Sequence, residues 1–127
     1  MIPKKILVID DERLIRHTTV LLLKKEGAEV LAAEEGKQGI ELAKNEHPDL
    51  ILLDIMMPGM DGWQVLETLR SEPLCASVPV IIFTAVDFTT SQKKAAEQGA
   101  QGILRKPFHL HELKAILGIE QEGGTDG

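Results

Sequence analysis

The chain has 127 residues, 43% of them hydrophobic and 27% charged, with a formal net charge of −6. That is the size and balance of one globular domain, which can bury a core without disulfides or metal staples. The acidic balance repels phosphate backbones, and 3% aromatics with no Tyr leave little to stack on bases, which argues against direct nucleic-acid binding.

The single cysteine, Cys75, rules out an intrachain disulfide and reads as a buried reduced thiol. No apolar run is long enough to span a membrane. The opening Met1-Ile2-Pro3-Lys4-Lys5 lacks a secretory pattern, so a cytoplasmic location is the expectation.

In chain order, Lys5-Ile6-Leu7-Val8-Ile9-Asp10 reads as an apolar strand ending in acid. From about Glu12 to Glu26 the spacing is helical, with Leu14, Ile15, Val20, Leu21, Leu22 and Leu23 offered as the buried face, and Gly27 stops it. Residues 28–33 form a weaker strand. A helix follows over 36–46, with Ile40, Leu42 and Ala43 inward, ended by His47-Pro48. Leu50-Ile51-Leu52-Leu53-Asp54 is an unbroken apolar run closed by a carboxylate and a Pro58-Gly59 turn, the pattern of a strand buried on both faces. Asp61 caps a helix to about Ser71 with Val65, Leu66 and Leu69 inward. Residues 78–84 are a strand, 89–98 a polar helix opened by Thr89-Thr90-Ser91 as cap, 102–105 a short strand, and 108–117 the last helix. Residues 119–127 read as a tail or linker stub after a domain over 1–118.

Strand and helix alternate five times, which means a parallel sheet wound with helices on both faces. The most apolar strands, at Ile6, Leu50 and Val80, belong in the centre; those at Ala28 and Ile103 belong at the edges. Every strand then ends on one edge of the sheet, where open α/β sheets bind ligands. Asp10 and Asp11, Asp54, Thr84 and Lys106 all fall there. Taken singly, each has an ordinary reading: Asp54 starts a turn, Asp10 and Asp11 cap a helix, Thr84 is a strand residue and Lys106 a surface lysine. Taken together, three acids repel one another unless a cation joins them, and a hard divalent ion such as Mg²⁺ suits all-oxygen ligands. A lysine and a hydroxyl opposite the acids complete what a transferring phosphoryl group needs, and a central carboxylate can be its nucleophile.

The motifs Ile-Leu-Val-Ile-Asp-Asp-Glu (6–12), Leu-Leu-Asp-Ile-Met-Met-Pro-Gly-Met-Asp-Gly (52–62), Ile-Ile-Phe-Thr-Ala (81–85) and Lys-Pro-Phe (106–108) carry a resemblance. From Lys5 to about Leu117 the chain resembles the receiver domain of bacterial two-component response regulators. The resemblance implies a five-stranded parallel sheet of order 2-1-3-4-5 in a flavodoxin-like, doubly wound fold. It implies a phosphoacceptor rather than an enzyme. Asp54 would take a phosphoryl group from a sensor histidine kinase or a phosphotransfer protein. Mg²⁺ would be bound by Asp11, Asp54 and the Met56 backbone carbonyl, with Asp10 acting mostly through water. Thr84 would bond the phosphoryl oxygens, Lys106 would pair with them, and the Lys106-Pro107 bond would be cis. Output would pass to a protein target through the face of helix 4, strand 5 and helix 5, and dimerisation on phosphorylation is compatible with the family.

Two departures stand out. Ile103 occupies the place, three residues before the lysine, where the family usually carries Tyr or Phe, so a threonine–aromatic switch is in doubt and the loop after Thr84 or an isoleucine rotamer would carry the signal. Met56 and Val86 are apolar, leaving little to position an attacking water, so the phosphoryl group should persist. The competing readings are a phosphate-independent receiver-like binding module, an aspartyl-nucleophile phosphatase, and a nucleotide-binding flavodoxin-like protein. The complete set of five polar residues disfavours the first. Met56, where a phosphatase would carry a second acid, disfavours the second, and the lack of a Gly-rich loop disfavours the third. His109 and His111, two apart on a helix, should point to different faces, a poor metal geometry. His17 and His47 have no partners in sequence. Trp63 should pack at the start of its helix, and Lys93-Lys94 reads as a solvated face.

Overall fold

The computed structural model describes residues 2–85 and 88–118. The expected tail over residues 119–127, and Val86, lie outside the described residues. Five strands alternate with five helices: β1 (Lys5–Ile9), α1 (Arg13–Lys25), β2 (Glu29–Ala33), α2 (Gly36–Glu46), β3 (Leu50–Asp54), α3 (Gly62–Ser71), β4 (Val80–Thr84), α4 (Phe88–Glu97), β5 (Gly102–Arg105) and α5 (Leu110–Leu117). All neighbouring strands pair in parallel, in the order β2-β1-β3-β4-β5. The expected order is therefore the observed one, with the two least apolar strands at the edges. β3 and β4 are buried at every position, as their unbroken apolar runs require.

The two-residue period of the strands divides the core. Leu7, Ile9, Ile51, Leu53 and Ile82 face one side, where α2 and α3 bring Ile40, Ala43, Val65, Leu66 and Leu69. Ile6, Val8, Leu50, Leu52, Ile81 and Phe83 face the other, under Leu23 of α1 and Leu113 of α5. Ile103 of β5 is buried in the first of these two cores. Cys75 is buried and free, and burial pushes its thiol up, as expected of an inert core cysteine.

Capping holds α3 in place. The Asp61 side chain accepts from the Gln64 backbone N–H at 3.0 Å, and the Gln64 side chain accepts from the Asp61 N–H at 2.9 Å. Trp63, in the first turn of α3, packs on the core and lies under the Lys94 ammonium, 4.8 Å from the ring centre. Lys93 and Lys94 are both exposed, as expected, and Lys94 in addition bridges α4 to α3.

The structure corrects four local expectations. Leu14 and Leu21 of α1 are 77% and 55% exposed; Leu23 is buried and Ile15 and Val20 pack on the core as expected, with Thr19 buried beside them, because a helix turns only one face to the sheet. Leu42 is only half-buried. Thr89, Thr90 and Ser91 lie inside α4 and do not precede it, with Ser91 buried. His109 is the N-cap residue of α5, outside the helix proper, so its ring is not bound to helical spacing. It stacks on His111 with centroids 5.6 Å apart and planes 8° from parallel. The expectation that these two rings diverge is wrong.

One glycine ties the fold to the site. A Cβ on Gly62 would lie 2.3 Å from the Asp54 backbone oxygen and 2.6 Å from the Ile55 Cα, and neither can retreat. We expect Gly62→Ala to cost about 1–3 kcal/mol in a urea unfolding titration, because overpacking against backbone forces a main-chain shift. A wild-type midpoint in that variant would contradict the packing described.

Candidate functional site

Register and parity assemble the site. In β1, Ile6 and Val8 face the α1–α5 side, and Asp10 continues that alternation; in β3, Leu50, Leu52 and Asp54 do the same. Ile9 pairs with Leu53, so the next residues, Asp10 and Asp54, emerge side by side at the carboxyl edge of two central strands. Asp54 pairs with Phe83, and Thr84 with Arg105, which sets Thr84 and the residue after β5, Lys106, on the same edge. The Lys106 N–H donates to the Thr84 carbonyl at 2.9 Å, and the Lys106–Pro107 peptide is cis, as the resemblance implies.

The result is a lysine buried among acids. Lys106 Nζ lies 3.0 Å from Asp10 Oδ2 and 3.2 Å from Asp54 Oδ2, and all three side chains are at most 2% exposed. A third carboxylate, Glu12 Oε1, accepts a hydrogen bond from the same ammonium at 3.4 Å while remaining 55% exposed. The Phe83 ring sits beneath the ammonium at 4.8 Å and carries no competing polar group. Asp54 Oδ1 accepts from the Met56 N–H at 3.3 Å, and Asp10 Oδ1 from the Glu12 N–H at 2.9 Å, so each aspartate has one oxygen held by backbone. Thr84 is fully buried at the end of β4, and the Met56 side chain is 61% exposed.

Of the residues singled out in the sequence, Asp10, Asp54 and Lys106 therefore meet directly, and Thr84 stands on the same edge. Asp11 follows β1 on that edge and turns one oxygen inward, but the acids whose ligand atoms fall within 4.8 Å of one another are Asp10, Glu12 and Asp54. Glu12 was missed as a site residue. Its place right after the Asp-Asp pair, at the start of a helix, was the available signal.

Buried oxygens of Asp10 (Oδ2), Asp11 (Oδ1) and Asp54 (Oδ2) have no hydrogen-bond partner. The first and last are ion-paired with Lys106 at 3.0 and 3.2 Å. Buried carboxylate oxygens left bare are costly, and one ammonium cannot balance this many acids. An all-oxygen donor set with unfilled valence is the chemistry a hard divalent cation such as Mg²⁺ satisfies, so these residues fit one.

Burial raises the Asp54 carboxyl from 3.8 to about 7, with Lys106 opposing the rise and Asp10 adding to it. Burial alone would depress Lys106, but its contacts with Asp10 and Asp54 outweigh that and hold it above its usual value. An acid raised on folding binds more protons folded than unfolded between the two pKa values. Stability from this group is thus lost as pH climbs from about 4 to about 7. We expect metal-free Asp54→Asn to exceed the parent by about 1–3 kcal/mol at pH 8 and to lose that advantage towards pH 4, read by urea unfolding at several pH values. A variant less stable than the parent at pH 8 would contradict the balance of charges described.

Against known proteins, residues 6–118 match the family model described as the response regulator receiver domain. Protein PilH of Pseudomonas aeruginosa is 39% identical over 89% of this chain and 97% of its own length. A probable transcriptional regulator, ycf27, of Porphyridium aerugineum is 40% identical over 90% of this chain; the chain spans about half the length of that relative, 46%. Among solved structures, the receiver domain of the Francisella response regulator 1452 superposes with a TM-score of 0.81 at 32% identity, covering 92% of this chain and 94% of that one. Vibrio cholerae chemotaxis protein CheY4 superposes with a TM-score of 0.83 at 27% identity, covering 92% and 98%. With its sheet order and its acid–lysine edge already in place, the chain belongs to the response regulator receiver domain family.

Proposed function

We propose that this domain, taken as residues 1–118, is a phosphorylation-controlled switch whose phosphoacceptor is Asp54. The observation that carries the reading is the Asp54 carboxylate at a sheet edge, its Oδ1 oriented by the Met56 N–H, with Lys106 Nζ 3.2 Å from its other oxygen. The donor is a phosphohistidine on a sensor kinase or phosphotransfer protein. One Asp54 oxygen attacks phosphorus and forms the new P–O bond; the P–N bond breaks, and the imidazole keeps its electron pair and takes up a solvent proton. Lys106 and the Thr84 hydroxyl receive the phosphoryl oxygens, whose charge lies at the periphery. Asp11, Asp54 and the Met56 carbonyl would hold Mg²⁺, with Asp10 behind them; the ion's chemistry is neutralisation of the gathered negative charge.

The reaction leaves a dianionic group where a buried lysine was balanced by carboxylates. Lys106 and Thr84 must both re-aim, and both are tied to neighbouring backbone through the Lys106 N–H and the Thr84 carbonyl. The β4–α4 connection and β5 therefore inherit the change. With Ile103 buried in the core, no aromatic ring at that position is available to turn inward. The adjoining surface of α4, β5 and α5 carries a groove lined by Ala96, Gly102, Ile103 and Ile116, which suits it to a protein target. No helix among the described residues is long and apolar enough to cross a membrane.

Intact mass after incubation with acetyl phosphate tests the assignment. One phosphoryl should be added only with Mg²⁺, and none to Asp54→Ala; no added mass in any condition would favour a phosphate-independent binding module. Because Met56 offers no group to orient water, the phosphoryl group should outlast the seconds scale once donor is removed, followed by mass on quenched samples. Decay within seconds would contradict that expectation.

A further inference from the structure

Two cations of unequal hold tie α4 to α3. Just past the end of α4, the Gly99 carbonyl accepts from Arg70 Nε of α3 at 3.2 Å, and the same guanidinium is fixed by the Cys75 and Ala76 carbonyls at 3.3 and 3.1 Å from Nη1. Three bonds to one charged, partly buried group make a firm anchor. Within α4, the Lys94 ammonium lies 4.8 Å from the centre of the Trp63 ring, with the lysine exposed and the tryptophan half-buried. A cation over an accessible ring is a weak tie. When α4 is displaced, this is the contact that yields.

Trp63 is also joined to the candidate phosphoacceptor. It follows Gly62, whose N–H donates to the Ile55 carbonyl at 2.8 Å and which leaves no room for a Cβ against the Asp54 carbonyl. It lines a surface groove together with Ile55, Met56 and Met57, the three residues after Asp54. Lys94, on the other side, belongs to the helix that follows Thr84 in the chain. The Trp63–Lys94 contact therefore closes a ring that runs from Asp54 through the start of α3, across to α4 and back to Thr84.

We propose that Lys94 over Trp63 is a latch that holds α4 in its resting position and lets go when the site is phosphorylated. The inference rests on Asp54 being the phosphoacceptor, and it supplies a link to α4 that Ile103, lacking an aromatic ring, does not. Thr84 turning to the phosphoryl oxygens pulls on the β4–α4 connection, while Trp63 stays with the capped start of α3, so the ammonium is carried off the ring. A contact made only in the resting form opposes activation by its own free energy. Removing it should ease activation by about two- to fivefold.

Beryllium fluoride, which mimics the phosphoryl group, tests the latch in the full chain at saturating Mg²⁺. Occupancy is read from the ¹⁹F signal of bound fluoride, and the contact from the emission of Trp63, the chain's single tryptophan. The half-saturating concentration should fall about two- to fivefold in Lys94→Met, which keeps an unbranched stem without the charge. It should return to the wild-type value in Lys94→Arg, whose guanidinium also sits on an aromatic face. Wild-type emission should change on saturation, and most of that change should be absent from Lys94→Met. An unchanged half-saturation in Lys94→Met would overturn the proposal, as would wild-type emission that ignores bound beryllium fluoride. If the wild-type chain binds none at all, the phosphoacceptor reading fails and takes the latch with it.

Discussion

A fully buried lysine wedged between two buried aspartates is the constraint on which this molecule depends. Ion pairs of this kind are poor sources of stability, since desolvating the charges costs about as much as their attraction returns. Here the balance is worse than even. Asp10 and Asp54 meet one Lys106, and Glu12 adds a third carboxylate to the same ammonium. Burial raises the Asp54 carboxyl, Lys106 opposes the rise and Asp10 adds to it. A site that is short of positive charge in its resting form is ready to accept a cation, and with it a phosphoryl group. The rest of the fold supplies the rigidity that keeps the groups from relaxing apart.

That rigidity has visible sources. The two central strands β1 and β3 are fixed in register by backbone pairing, so Asp10 and Asp54 cannot slide past each other without turning apolar side chains out of the two cores. The loop after Asp54 is pinned by the capping box of α3 and by the close approach of Gly62 to the Asp54 carbonyl. α4 is the contrast. It is polar, places Ala95 in the core beside α3, and sets Lys94 over Trp63. Few buried apolar side chains mean a low cost of displacement, which suits an element that answers events at the sheet edge.

Much of this was legible in the chain. Unbroken apolar runs at Leu50–Leu53 and Val80–Phe83 read as strands buried on both faces, and the weaker runs at Glu29 and Gly102 as edges, as observed. The acids at the ends of β1 and β3 followed from the same runs, so the core of the candidate site was visible in the sequence. What stayed hidden depended on side-chain direction. Helical spacing placed Leu14 and Leu21 inside, whereas the sheet offers α1 a narrower contact than its leucines could fill. The same spacing argument separated His109 from His111, but His109 precedes the helix and its ring is free to stack. Glu12 was passed over because an exposed acid beside two others reads as helix-end charge. Only the position of the Lys106 ammonium reveals that it has a partner there.

The most direct test of the central claim is a crystal structure with Mg²⁺ and beryllium fluoride, a mimic of the phosphoryl group. The account predicts the beryllium fluoride on an Asp54 oxygen, Mg²⁺ against the neighbouring acids, and Lys106 Nζ drawn to the fluorides. A structure in which Asp54 stays unmodified, with Lys106 still paired to Asp10 and Asp54, would contradict it.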